Sequence, residues 1–363
     1  MHTRATVATA EAVCRTAEFR AHDPLSTITP TSKPPHVLAA STTPNLAPDP
    51  IEAEMREVDA VIRRRLSSSV PLIDQIAHYI VGAGGKRIRP RLVLLFAEAF
   101  GFEGPERHEL AATVEFIHTA TLLHDDVVDE SSLRRGRATA NALFGNAASV
   151  LVGDFLYSRA FQMMVSVNRM RVLDVLADAT NVIAEGEVLQ LMNMHNPDLT
   201  VEDYLRVIRF KTAKLFEASA RLGAVLGQAD NALEEASAEY GRSLGTAFQL
   251  VDDLLDYEGN AEQLGKNIGD DLREGKATLP LLLAMSESGP DDREMLRQAI
   301  EQGEVARLPE VISLVRRTGA LAATRAAAQR QAEQAHSALA ALPASRAREA
   351  LLDLCVRSVH RSS

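Results

Sequence analysis

The sequence predicts an all-α fold, a large helical bundle forming one domain from Ile51 onward. Three observations predict it: apolar residues recur at helical spacing, the apolar segments have helical length, and glycine or proline separates them. No convincing alternating strand is found. At 363 residues, 46% of them hydrophobic and 24% charged, the chain is long enough for a sizeable core.

The elements follow in order. Residues 1–50 hold seven of the fifteen prolines and no glycine. With many Ser and Thr besides, they cannot bury enough apolar surface to offset ordering entropy, and they are expected to form a disordered tail. Val58, Ile62 and Leu66, then Leu72, Ile76 and Ile80, mark the first helix pair. Further helices are expected over Arg91–Phe100, Glu109–Asp129, Ala147–Val167, Val172–Met194, Val201–Leu226, Ala232–Tyr257, Leu279–Glu287, Asp291–Gln302 and Ala320–Leu342. Gly101, Gly104, Gly145, Gly223, Gly227, Gly259 and Gly289, with Pro197 and Pro290, are expected as breakers or caps. Several of these segments are apolar on nearly every side, which places them centrally.

Composition excludes several function classes. Lys plus Arg number 39 against 49 for Asp plus Glu, a net charge of -10 that disfavours nucleic acid and suggests acidic clusters holding cations. Cys14 and Cys355 are the only cysteines, which excludes a disulfide framework and a cysteine zinc site and points to a reducing, cytoplasmic setting. The longest apolar runs, such as Leu92–Ala97 and Leu279–Met285, fall far short of the ~20 residues that cross a bilayer. Arg4, Glu11, Arg15 and Glu18 interrupt any secretory h-region, and the acidic residues disfavour a transit peptide.

Chemistry concentrates in two acidic motifs. Leu122–Asp129 reads LLHDDVVD, so Asp125 and Asp129 stand one helical turn apart on one face, with Asp126 beside them. The arrangement recurs as VDDLLD, with Asp252, Asp253 and Asp256. One such motif alone is more simply a solvated helix face. Two embedded in apolar helices need a compensating cation, and facing clusters would make a polyvalent metal site. Hard oxygen donors without His or Cys select Mg²⁺, normally shared with substrate phosphates. A zinc or di-iron site would need the Glu-x-x-His pairs of helical-bundle metalloproteins, and none accompanies these aspartates.

Basic residues complete a diphosphate site. Gly84–Pro90 reads GGKRIRP, placing Lys86, Arg87 and Arg89 at a helix start, where the dipole favours an anion. His118 lies two turns before Asp125. Arg134 and Arg135 follow the first cluster, and Lys266 and Lys276 the second. Lys211 and Thr212 form another basic and hydroxyl pair, and Gln249 precedes Asp252 by three positions. Each could be merely structural; together they supply donors for two separate diphosphates.

With GGKRIRP, FKTAKLFEAS and LGKNIGDDLREGKATLPLL beside the paired motifs, the chain from about Ile51 onward resembles the trans-polyprenyl diphosphate synthases. The stretch FIHTATLLHDDVVDESSLRRG is similar to that of the bacterial octaprenyl diphosphate synthases of ubiquinone side-chain synthesis. The resemblance implies an isoprenoid synthase fold around a central cavity, a homodimer, and products handed to membrane enzymes. It implies that Lys86, Arg89, His118 and Arg135 bind isopentenyl diphosphate. Arg134, Lys211, Thr212, Gln249 and Lys266 would hold the allylic diphosphate, farnesyl diphosphate foremost, whose oxygens share Mg²⁺ with Asp125, Asp129 and Asp252. Asp256, in the second cluster, is a further candidate ligand. Asp125, Asp129, Asp252 and Lys211 are the expected catalytic set. The family's short-chain members place Phe or Tyr where this chain has Ala120 and Thr121, so the tunnel for the growing tail is expected to stay open here and to end deeper, at Met164.

Three other readings remain beside long-chain synthesis. A terpene cyclase would line its cavity with aromatics, yet aromatics are only 4% here and Trp is absent. A noncatalytic subunit of a heteromeric synthase would tolerate loss of the acidic motifs, and both are intact. A shorter-chain, geranylgeranyl synthase is the third.

Overall fold

Helices occupy the segments that the spacing predicts, and they are longer or interrupted where packing requires. The structure, a computed structural model, describes residues 50–361 apart from 83, 135, 259–267 and 304. The expected tail up to residue 49, Gly259, Arg135 and Lys266 therefore lie outside the described residues. α1 (Pro50–Leu66) and α2 (Pro71–Val81) are the first pair, followed by α3 (Ile88–Ala99) and α4 (Glu106–Val128). A short antiparallel hairpin comes next, β1 (Leu133–Arg134) and β2 (Arg137–Ala138), with Leu133 opposite Ala138. These are the only strands among the described residues, too short for any alternation to reveal.

α5 (Ala140–Phe144), α6 (Asn146–Ser166) and α7 (Met170–Asn193) lead to α8 (Val201–Ile208), which runs through a π turn at Arg209–Ala213 into α9 (Lys214–Leu226). The remaining helices are α10 (Asn231–Glu258), α11 (Asp270–Arg273), α12 (Leu279–Glu287), α13 (Pro290–Gln302), α14 (Leu308–Arg317), α15 (Ala320–Ala338) and α16 (Arg346–Val359). α5, α11, α14 and α16 are additions to the expected set.

The centre is built from α3, α4, α9 and α10. α3 is buried on two sides at once. Val93, Leu94 and Ala97 join a core shared with α1, α4 and α6, while Leu92, Leu95 and Phe96 join Phe216, Tyr240 and Leu351 of α9, α10 and α16. A second large core gathers Leu250, Val251, Leu254 and Leu255 of α10 with α12, α13 and α14. Gly223 is not the breaker its residue type suggests. It sits inside α9, where a Cβ would lie 2.5 Å from the Phe96 Cβ, so glycine lets α3 and α9 approach closely. Among the described residues no helix is long and apolar enough to cross a membrane.

Candidate active site

α4 delivers the first acidic cluster at its C-terminal end, where the helix dipole disfavours negative charge and cations must answer it. Three cations from three other segments do so. Lys211 Nζ lies 3.4 Å from Asp125 Oδ2, and Lys276 Nζ lies 2.9 Å from Asp129 Oδ2. Arg134 of β1 reaches Asp126 Oδ1 through Nε at 2.8 Å and Nη2 at 2.7 Å. Asp126 is buried, which pushes its carboxyl above the ordinary range against the pull of Arg134. Burial works against the Lys276 ammonium, but Asp129 and Glu274 outweigh it and hold the lysine protonated.

The π turn places Lys211 and Thr212. Wide turns of this kind recur at functional sites because the extra residue redirects side chains. Its neighbours must be small: a Cβ on Gly186 of α7 would lie 2.6 Å from the Lys211 backbone nitrogen. Lys211 also pairs with Glu187 Oε2 at 2.6 Å. Burial pushes the Glu187 carboxyl up to about 7, with Lys211 opposing the rise and Asp125 adding to it. Thr212 donates its hydroxyl to Gln249 Oε1 at 2.9 Å.

These groups line one cleft of about 820 Å³, part of it open to solvent. Asp125, Asp129, Arg134, Lys211, Thr212, Gln249, Asp253, Asp271 and Lys276 all face it. The second acidic cluster is split. Asp253 lines the cleft, and burial first, then Asp271, push its carboxyl up to about 7. Asp252 instead pairs with Arg361 at 2.8 Å, and the Arg361 guanidinium stacks 3.8 Å from the Phe248 ring centroid. Asp256 is fully buried, and its Oδ2 accepts the Asp271 N–H at 3.2 Å.

A second cleft shares Leu122 and Arg134 with the first and is lined by Tyr79, Glu115, His118 and Arg137. His118 therefore sits apart from the aspartate and lysine cleft, as two separate diphosphates would require. Lys86 and Arg89 line neither cleft; Lys86 lies over the Phe248 ring at 5.8 Å, the ring on which Arg361 stacks, and Arg89 over Phe216 at 4.5 Å. Ala120 and Met164 are both buried in the core shared by α4 and α6. Thr121 donates its hydroxyl to the His118 carbonyl at 2.8 Å.

Sequence reasoning noted Lys276 without giving it a role, and it missed Glu187, Tyr204, Asp271 and Arg361. The signal for Glu187 lay in its glycine neighbour within an apolar helix; Arg361 carried none. Among the described residues no three His, Cys, Asp or Glu side chains gather as a ready metal cage. The cleft's carboxylates fit a hard cation that takes its remaining ligands from water and phosphate, and among the described residues no His or Cys lines it.

A helical bundle that presents aspartates from two helices to a cleft, with lysines opposite them, is the site expected of a prenyltransferase of the isoprenoid synthase fold, and the known proteins similar to this chain place it in that class. Residues 70–315 match the family model described as polyprenyl synthetase. The chain is 56% identical over 309 residues to the octaprenyl diphosphate synthase of Escherichia coli (strain K12), covering 85% of this chain and 96% of that protein. It is 51% identical over 312 residues to the Haemophilus influenzae octaprenyl diphosphate synthase, covering 86% and 95%. A solved polyprenyl synthase from Caulobacter crescentus CB15, complexed with calcium and isoprenyl diphosphate, superposes with a TM-score of 0.84 at 50% identity, covering 86% and 96%. The chain belongs to the polyprenyl synthetase family.

Proposed function

We propose that this prenyltransferase extends an allylic diphosphate, farnesyl diphosphate foremost, with isopentenyl diphosphate units to about octaprenyl diphosphate, a long all-trans product suited to quinone side chains. The observation that carries the reading is the pair of clefts sharing Arg134, one with aspartates and lysines, the other with His118. In this reading Lys211, Thr212, Gln249, Lys276 and Arg134 hold the allylic diphosphate, a role that the family resemblance also implies for Lys266. Lys86, Arg89, His118 and Arg135 hold isopentenyl diphosphate. Asp125, Asp129 and Asp252 hold Mg²⁺, with Asp256 buried behind Asp252 on α10.

Bound Mg²⁺ supplies neutralisation of the charge that develops on the leaving diphosphate. Lys211 and Lys276 add preorganised positive charge at the same place, within a cleft walled by Leu122, Val207 and Ile208. The allylic C1–O bond breaks, the double bond of isopentenyl diphosphate attacks the allylic cation, and the released diphosphate takes the proton then lost. The lengthened chain passes Ala120 and Thr121 toward Met164 as cycles repeat.

The enzyme acts as a homodimer in the cytoplasm and hands its product to membrane enzymes. The exposed apolar residues Leu151 and Val165 of α6 and Val188, Leu191 and Met192 of α7 support a subunit contact. Mass measurement of the product made from farnesyl and isopentenyl diphosphates with Mg²⁺ tests the reading. A product near eight isoprene units is expected, and one of four units would replace it with the geranylgeranyl reading.

A further inference from the structure

The second acidic cluster contains a carboxylate with an unusual set of partners. Asp253, buried on α10, accepts the Tyr204 hydroxyl of α8 on Oδ2 at 2.5 Å and Gln249 Nε2 on Oδ1 at 2.8 Å. Tyr204 is itself buried, and it lines the cleft together with Asp253 and Gln249. At its other end Gln249 accepts the Thr212 hydroxyl on Oε1 at 2.9 Å. The bonds converge on Asp253: Thr212 donates to Gln249, and Gln249 and Tyr204 both donate to the carboxylate. Asp253 in its ionised form only accepts, and the Gln249 amide accordingly turns its NH₂ toward Asp253 and its carbonyl toward Thr212. One N–H of that NH₂ is used on Asp253. The other is left for the cleft.

The orientation matters because the two ends of an amide interact oppositely with an anion. A flipped Gln249 would aim its carbonyl oxygen at a diphosphate and repel it; the observed one offers an N–H. Nothing in Gln249 itself selects between the two, since both ends are similar in size. The selection comes from Asp253, and Asp253 is held by Tyr204.

We propose that Tyr204 and Asp253 are positioning residues that fix the Gln249 amide with its N–H toward the allylic diphosphate, and that Asp253, unlike its neighbour Asp252, does not ligate metal. The inference rests on the assignment of Thr212 and Gln249 to that diphosphate. Burial favours the arrangement, because leaving one partner of a charged hydrogen bond unmet in the interior is costly and the chain of bonds is therefore strongly directed.

The test is steady-state kinetics of the full chain with Tyr204→Phe, Gln249→Leu and the double variant, using farnesyl diphosphate, isopentenyl diphosphate and a magnesium titration. Tyr204→Phe is expected to raise the KM for farnesyl diphosphate roughly tenfold, the scale of one lost hydrogen bond to a charged group. The KM for isopentenyl diphosphate and the magnesium concentration at half-maximal rate should move by less than about twofold, and Tyr204→Phe should add little to Gln249→Leu. An unchanged farnesyl diphosphate KM in Tyr204→Phe, alongside a raised one in Gln249→Leu, overturns the inference alone. An unchanged KM in Gln249→Leu overturns the site assignment and the inference with it. A magnesium requirement that rises with Tyr204→Phe makes Asp253 a metal ligand and also overturns it. Asp253→Asn is the second variant and reads the same split: the farnesyl diphosphate KM moves if the residue positions Gln249, the magnesium requirement if it binds metal.

Discussion

Lys276 Nζ lies 2.9 Å from Asp129 Oδ2, joining residues 147 positions apart. The helix C-terminus at Asp129 gains a cation there, and the cleft gains a lysine held at a fixed place before any diphosphate arrives. Lys276→Ala is expected to raise the KM for the allylic diphosphate roughly tenfold, with a smaller effect on isopentenyl diphosphate, in initial-rate assays.

Asp125 and Asp126 are adjacent but differ in what they touch, and their variants should differ in kind. Asp125→Ala and Asp252→Ala are expected to lower magnesium-dependent condensation by roughly a hundredfold or more while circular dichroism keeps its helical signal. Asp126→Ala leaves Arg134 without its buried partner and should cost about 2 kcal/mol of stability, moderated because Arg134 is 35% exposed. Thermal unfolding separates the two: a drop of roughly 4 °C in melting temperature for Asp126→Ala and little for Asp125→Ala.

Gly186 holds open the space against the π turn. Gly186→Val is expected to displace Lys211 and Thr212 and cut turnover at least tenfold, since even a Cβ there would lie 2.6 Å from the Lys211 nitrogen. Gly101→Ala, where a Cβ would meet nothing within 4 Å, should leave turnover unchanged and cost stability only through its φ of 73°. Turnover and melting curves of the two variants check this.

Product length should answer to the core between α4 and α6. Ala120→Phe adds a ring beside the path proposed for the tail and is expected to shorten products to about three or four isoprene units, each unit being roughly one helical turn long. Met164→Ala should lengthen them. Chromatography of the dephosphorylated products decides, and an unchanged long-chain pattern from Ala120→Phe would mean that the tail does not pass this face.

Cys355 is 2% exposed, and burial first pushes its thiol up to about 11. Iodoacetamide at pH 8 is therefore expected to leave Cys355 unmodified in the native chain and to label it after denaturation. Peptide mass spectrometry at this cysteine reads the outcome.

The parts of this fold legible in the sequence are those set by local spacing. Val58, Ile62 and Leu66 mark one face of a helix whichever partner covers it, and Asp125 and Asp129 share a face by helix geometry alone. Pairings between distant charges were not legible. Nothing near Asp252 indicates that Arg361 will reach it, and nothing near Asp126 shows that Arg134, and not Lys211, will neutralise it. Gly223 misled because glycine ends helices in isolation, whereas against Phe96 it permits one to continue. The segment expected as one helix over Val201–Leu226 reads as continuous because a π turn leaves the apolar spacing almost intact; what it alters is the angular phase of the residues beyond it.

That phase shift makes the cleft depend on a count of residues as much as on their identities. An α-helix advances 100° per residue, and the wide turn at Arg209–Ala213 accommodates one residue more than a regular turn would. Loss of any one residue there would allow an uninterrupted helix, which secondary-structure propensity favours, while swinging Lys211 and Thr212 away from Asp125 and Gln249 or else rotating α9 out of its seat on α3 and α10. Insertions and deletions should therefore be far less tolerated in this stretch than substitutions, although it contains neither glycine nor proline and looks, residue by residue, like ordinary helix.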